Sequence, residues 1–328
     1  KADKDCKATV SFHFTDDTYR DASEGAELFE ALAGVDDTDV NSALLFPAKR
    51  NRHLRVINGG RFYDFTKFGF AFKATEADPK LKEKLTVHPE FDVDEASVIL
   101  VSKEKRSIVG KSGNQTRLRL PKGSVVYDGP FGFGHPRMHR EVESERLMAN
   151  IHGTFYEVPF WIVGQAPLYT KMRPVCSHNK QISDFSTWNG LLVLAGLKAD
   201  ANASKHVYKT DDGKTALWFG GIDDLWKLGK PVGVGGPWKD TAVKAGEPSD
   251  PYLMTGYDKK TLALTADKAC TITVEVDIDH WTGFHEYKRF KLKPGKTLTY
   301  AFPEGYTAHW VRVKADMDVN ATAWFVYE

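Results

Sequence analysis

The sequence predicts an all-β protein, read as a β-propeller of five to seven blades, with tandem β-sandwiches as the alternative. Three observations carry this. Short segments rich in Val, Phe, Tyr, Trp and Thr, bounded by Gly, Pro, Asn or Asp, recur along the 328 residues. Helical periodicity is scarce. Hairpin-like segments echo one another, as the blades of a ring do.

The strand segments are, in order, Ala8–Phe14, Ala43–Phe46, Leu54–Ile57, Ser97–Ser102, Thr116–Leu120, Leu191–Leu194, Ala216–Phe219, Thr271–Asp277, Thr297–Phe302, Trp310–Val313 and Ala321–Tyr327. Only Glu24–Ala33 and Lys80–Leu85 read as helix, and both are too short for a βαβ architecture with a nucleotide site. The hairpin echo joins Leu54-Arg55-Val56-Ile57-Asn58-Gly59-Gly60-Arg61-Phe62-Tyr63 to Met148-Ala149-Asn150-Ile151-His152-Gly153-Thr154-Phe155-Tyr156, with Trp188-Asn189-Gly190-Leu191 as a third variant. A second repeat links the two ends. Lys1-Ala2-Asp3-Lys4-Asp5-Cys6-Lys7-Ala8-Thr9 matches Lys314-Ala315-Asp316-Met317-Asp318-Val319-Asn320-Ala321-Thr322, and an aromatic strand follows each copy. The expected organisation is a single propeller domain over 1–328, in which 1–16 and 250–328 are repeated terminal β-units that close the ring. A fragment of a longer tandem protein is the other reading of the same repeat.

Lys and Arg number 45 against 44 Asp and Glu, so no overall charge draws the chain to nucleic acid or anionic lipid. Apolar runs such as Leu191–Leu194 fall far short of the roughly 20 residues of a membrane span. Cys6, Cys176 and Cys270 form neither a CxxC nor a zinc spacing and read as free thiols. The chain opens at Lys1 without an apolar leader, as a processed or truncated product would, so secretion follows from the kind of protein this is. Sequons at Asn114, Asn202 and Asn320 matter only in a eukaryotic secretory route.

Candidate chemistry concentrates between Arg137 and Asn189, where His139, His152, Tyr156, Arg173, His178, Asn179, Asp184 and Trp188 stand with little Lys/Glu padding. His152 precedes a glycine at a hairpin turn, and His178 follows a strand, so each imidazole is either a catalyst at a strand end or a structural hydrogen-bonding group. A second stretch carries Trp218, Asp223, Asp224, Trp226 and Trp238 among glycines. Tryptophan faces stack on sugar rings, and carboxylates protonate glycosidic oxygens. The alternative for Asp223-Asp224 is a plain turn. These glycines form neither a P-loop nor a dinucleotide fingerprint and are expected to be tight turns beside a binding surface. Glu275-Val276-Asp277-Ile278-Asp279 has the acids to line a structural Ca²⁺ site, yet its alternation is that of a half-exposed strand, the preferred reading. No cofactor is required.

The stretches Asn150-Ile151-His152-Gly153-Thr154-Phe155-Tyr156-Glu157, Cys176-Ser177-His178-Asn179, Asp223-Asp224-Leu225-Trp226 and His309-Trp310-Val311-Arg312-Val313 resemble those of secreted bacterial β-propeller proteins of polysaccharide-degrading systems. The chain is similar in kind to ulvan-lyase-type polysaccharide lyases and the related rhamnosyl-glucuronate hydrolases. The resemblance implies a seven-bladed ring, a funnel for a uronic-acid polysaccharide, and His, Tyr and Arg as working groups, matched here by residue type to His152, His178, Tyr156 and Arg173. In a lyase, a histidine takes the proton α to the uronate carboxyl, Tyr156 protonates the leaving oxygen, and Arg173 neutralises the carboxylate. In a hydrolase, Asp223 or Asp224 protonates the glycosidic oxygen. Asn179, Trp188, Trp218, Trp226 and Trp238 would then bind the polysaccharide. The contrasting reading is a non-catalytic glycan-binding or scaffold module of a larger secreted protein.

Overall fold

The computed structural model describes residues 28–48, 53–65, 73–74, 91–102, 116–124, 127, 140–142, 146–159 and 168–328. The strand Ala8–Phe14, the N-terminal copy of the end repeat, the Lys80–Leu85 helix, Cys6, Asn114 and His139 lie outside them. The described chain is all-β, in several separate sheets of which none closes into a barrel. Within Glu24–Ala33 the described part starts in helix at Leu28, passes through a turn and reaches a bridge between Leu32 and Leu197. The chain divides into two compact units, the first made of 1–86, 140–144 and 179–228, the second of 87–139, 145–178 and 229–328.

In the first unit two four-stranded antiparallel sheets are described. One takes Leu44–Ala48, His53–Asn58, Arg61–Phe65 and Lys73–Ala74 in chain order. The other has the order Asp184–Trp188, Leu191–Ala195, Ala216–Gly220, Val207–Lys209. Leu45, Leu54, Val56, Tyr63 and Phe65 share one core with Trp188, Val193, Leu217 and Phe219. Asp184 is buried, and its carboxylate accepts the Leu45 N–H at 2.8 Å and the Phe185 N–H at 2.9 Å.

The second unit holds a β-sandwich. Gly233–Val243, Val319–Tyr327, Lys260–Ala266 and Leu298–Ala301 form one sheet in that order. Facing it, His285–Leu292, Cys270–Asp277, Trp310–Ala315, Tyr252–Leu253, Thr116–Leu120, Val98–Ser102 and Phe91–Val93 form a seven-stranded sheet. Burial alternates along Lys260–Ala266 and Val319–Tyr327, so Leu262, Leu264, Ala323, Phe325 and Tyr327 meet Tyr252, Ile272, Val274, Val311 and Val313 from the opposite sheet. Each buried Leu, Ile, Val or Phe here contributes about 1.5–3 kcal/mol by leaving water.

The expectation that residues 233–236 are tight turns is corrected here. They open an eleven-residue strand, Gly233–Val243. A Cβ at Gly236 would lie 1.8 Å from the Ala323 carbonyl oxygen, so glycine is what lets this strand reach Val319–Tyr327. The three echoed hairpins share one cause. Gly59-Gly60, His152-Gly153 and Asn189-Gly190 all have positive φ and close two-residue turns of the primed type whose twist suits antiparallel strands.

Candidate functional site

His152 and His178 both belong to the second unit. His152 sits in the left-handed region at φ +50°, a conformation the surroundings must hold in place. They do so from two sides. The Gly123 N–H donates to the His152 carbonyl at 3.1 Å, and the His178 N–H donates to the Gly153 carbonyl at 2.7 Å. Both imidazoles pack on the Tyr127 ring, with centroids 5.8 Å and 6.0 Å away. His178 Nε2 lies 3.0 Å from Asn150 Oδ1, and its Nδ1 lies 3.3 Å from the Tyr127 hydroxyl. An amide oxygen only accepts, so Nε2 carries the proton and Nδ1 accepts from the phenol. Burial pushes the Tyr127 hydroxyl well up, which keeps it the donor. Tyr127, Asn150, His152 and His178 are all buried. No sequence signal singles out Tyr127, whose neighbours carry no motif.

Tyr156 points elsewhere. Its hydroxyl lies 3.4 Å from that of Tyr257 and 3.4 Å from the Pro121 carbonyl, inside a group of buried phenols with Tyr252 and Tyr327, and burial raises it to about 12. Arg173 faces Glu157 across paired strands and holds its carboxylate through Nε at 3.1 Å and through Nη2. In the first unit Asn179 and Asp223 are exposed. Asp224 is buried and caps its turn, accepting the Gly221 N–H at 2.7 Å. Trp226, 73% exposed, stands on the short helix Leu225–Leu228. Trp188 and Trp218 are core side chains of the first unit, and Trp238 of the second.

A second cluster in the second unit is not apparent from the sequence alone. It stands where strand Cys270–Asp277 ends beside Trp310 on the next strand. The Asp277 carboxyl is fully buried, and among the described residues neither oxygen meets a donor in good hydrogen-bond geometry. Burial, reinforced by the Asp279 carboxylate, pushes it up to about 6. Asp279 does the opposite. Its Oδ1 accepts from the Thr282 and Trp281 N–H groups at 2.8 Å and 2.9 Å and from the Thr282 hydroxyl at 2.9 Å, which hold it well below the usual carboxylate range.

His280, at φ +60°, turns its ring to within 5.5 Å of that of His309. His309 donates from Nε2 to the Met172 carbonyl at 3.1 Å, leaving Nδ1 as the acceptor nitrogen. Burial first, then His280, Arg173 and Lys171, lower His309 to about 4, so the ring is neutral near pH 7. Trp281 closes the cluster on the solvent side, half exposed. The sequence signal for this site is a pair of His-Trp dipeptides, His280-Trp281 and His309-Trp310. Among the described residues no group of three or more His, Cys, Asp or Glu is placed to hold a metal ion. Glu275, one of the acids considered for Ca²⁺, is held by Arg312 at 2.6 Å and Lys314 at 2.8 Å.

No family model matches the chain, and no curated protein matches it. Among solved structures it is similar to "BiXyn10A CBM1 APO" at 8% identity and a TM-score of 0.17, covering 58% of this chain and 86% of that one. It is also similar to a "Glycoside hydrolase" at 8% identity and a TM-score of 0.18, over 87% and 70% of the two chains. A third is a mutant of the Bombyx mori GH32 β-fructofuranosidase BmSUC1 in complex with sucrose, at 8% identity and a TM-score of 0.16, over 86% and 75%. Similarities this low carry no argument for the fold or the chemistry of this chain.

Proposed function

We propose that this chain is an extracellular carbohydrate-active enzyme that cleaves a uronic-acid-containing polysaccharide, with its chemistry at the Asp277–His280–Trp281–His309 cluster of the second unit. The observation that carries the reading is His309: a neutral imidazole with one nitrogen committed to the Met172 carbonyl, beside two cations and an exposed indole. Such a ring is unprotonated at neutral pH; the burial and cations that keep it so also weaken it as a base, which a bound uronate anion would offset. In β-elimination the ring takes the proton α to the uronate carboxyl, Lys171 offsets the charge that builds on the carboxyl beside the Arg173–Glu157 pair, and the imidazolium so formed returns the proton to the leaving oxygen. Trp281 offers a face for a sugar ring. His309 thus takes the role that the resemblance implied for His152 or His178, whose turn and hydrogen bonds make them the support of the strand ends.

The four-stranded antiparallel sheets of the first unit fit propeller blades, and the sandwich of the second unit fits the tandem-sandwich alternative; we favour blades in the first unit and a sandwich in the second. No cofactor is needed for this chemistry. The second reading, a non-catalytic glycan-binding module, draws support from the exposure of Trp226 and Trp281. Incubating the protein with a panel of acidic and neutral polysaccharides, and following both ultraviolet absorbance of unsaturated ends and reducing ends, separates the readings. Unsaturated product supports elimination. Reducing ends without it point to hydrolysis and to Asp223, and binding without either product leaves the glycan-binding module.

A further inference from the structure

The outer face of the sandwich begins at the same cluster. Along paired strands Cys270–Asp277 and Trp310–Ala315, the partners Asp277–Trp310, Glu275–Arg312 and Thr273–Lys314 succeed one another without a break in register. Side chains two residues apart share a face about 7 Å apart. Trp310 is buried where its indole N–H donates to the Thr170 carbonyl at 2.9 Å, whereas Arg312 and Lys314 are partly open to solvent. The neighbouring edge strand His285–Leu292 adds Arg289 opposite Thr273 and Lys291 opposite Thr271, both exposed.

On this face four cations, Arg289, Lys291, Arg312 and Lys314, stand against three carboxylates among the described residues, Glu275, Glu286 and Asp316. Glu275 is shared by Arg312 and Lys314, and Glu286 pairs with Arg289 at 2.7 Å. One net positive charge remains, with Thr271 and Thr273 between the cations and the Phe284 ring beneath Arg312 at 4.2 Å. At its far end the tract stops at the Asp316 carboxylate, which accepts the Thr271 N–H.

We propose that this face is a binding tract for an acidic polysaccharide, which lies along Lys291, Arg289, Lys314 and Arg312 and delivers a sugar unit to Trp281. The tract rests on the proposed function for the sugar and on its own geometry for the charge. Cations spaced at strand intervals, with hydroxyls and carboxylates among them, match a chain carrying one anion per sugar or two. Duplex nucleic acid, with one charge per about 1.7 Å of axis, would press phosphates against Glu275 and Glu286. Attraction of this kind weakens with added salt.

The test is retention of the whole protein in native gels containing polygalacturonate, its fully methyl-esterified form, or duplex DNA. Retention by polygalacturonate alone, lost on adding salt, is the expected result. The Arg289→Gln/Lys291→Gln pair should weaken it roughly tenfold, or about 1.4 kcal/mol, with thermal unfolding unchanged because both side chains are exposed. Equal retention by the esterified polymer, tighter retention by DNA, or an unchanged affinity of the double variant would overturn the tract. Binding that responds to the double variant without cleavage of any polysaccharide keeps the tract and removes the enzymatic reading; cleavage with binding indifferent to the variant does the reverse.

Discussion

Asp277 and His309 are joined by the backbone, since the His309 N–H donates to the Asp277 carbonyl at 2.8 Å, yet burial moves their titrations in opposite directions. Asp277 is raised from 3.8 to about 6, so its favourable contribution is complete below pH 4 and is lost as pH rises to 6. His309 is lowered from 6.5 to about 4, so the unfolded chain binds its proton more readily and stability is lost as pH falls through that range. Each slope approaches about 1.4 kcal/mol per pH unit, and the two offset each other. Relative to the parent, Asp277→Asn should therefore make stability rise more steeply between pH 4 and 6, and His309→Gln should make it rise less. Denaturant midpoints across this range check both, and variant curves parallel to the parent would refute the opposed titrations. The phenols give a second prediction. The Tyr252 hydroxyl is buried without a hydrogen-bond partner among the described residues, so Tyr252→Phe should be neutral or stabilising by up to about 1 kcal/mol, whereas Tyr156→Phe, which parts from Tyr257, should cost about 1 kcal/mol. Equal losses in urea unfolding would show that the Tyr252 hydroxyl is satisfied in solution.

At the scale of elements, Gly236 is the most demanding position. With 1.8 Å from a would-be Cβ to the Ala323 oxygen, Gly236→Ala should cost about 2–4 kcal/mol, and a full-length variant melting with the parent would show that the strand can move aside. The strands legible in the sequence are those whose apolar and polar residues alternate between turn residues: Leu54–Ile57 lies within His53–Asn58, and Ala321–Tyr327 within Val319–Tyr327. Lys260–Ala266 and His285–Leu292 are hidden because Lys, Thr and Arg fill their outward positions, and the second is an edge strand where such charge guards against pairing. The glycine run is hidden because its strand conformation depends on a partner far along the chain. Of the candidate site, the sequence reveals what a local turn determines, such as His152 before Gly153. It conceals what register determines: Asp277 opposite Trp310, and Arg173 near His309 rather than His178.

At the scale of the whole molecule, the all-β character is legible because composition and turn spacing act everywhere along the chain, while the division into two units is not, because residues 140–144 and 179–228 belong with the N-terminal part although 145–178 lie between them. The second unit holds the sandwich, the His309 cluster and the cationic face together. In the proposed elimination His309 is the base. The measurement that tests it most directly is the rate of unsaturated-product formation from the polysaccharide found active in the panel, for parent, His309→Gln and His178→Gln, each confirmed folded by its thermal transition. A loss of about 10²–10⁴-fold is expected for His309→Gln, as for removal of a general base, and a much smaller change for His178→Gln. His309→Gln turning over at the parent's rate, with the loss falling on His178→Gln instead, would contradict that assignment.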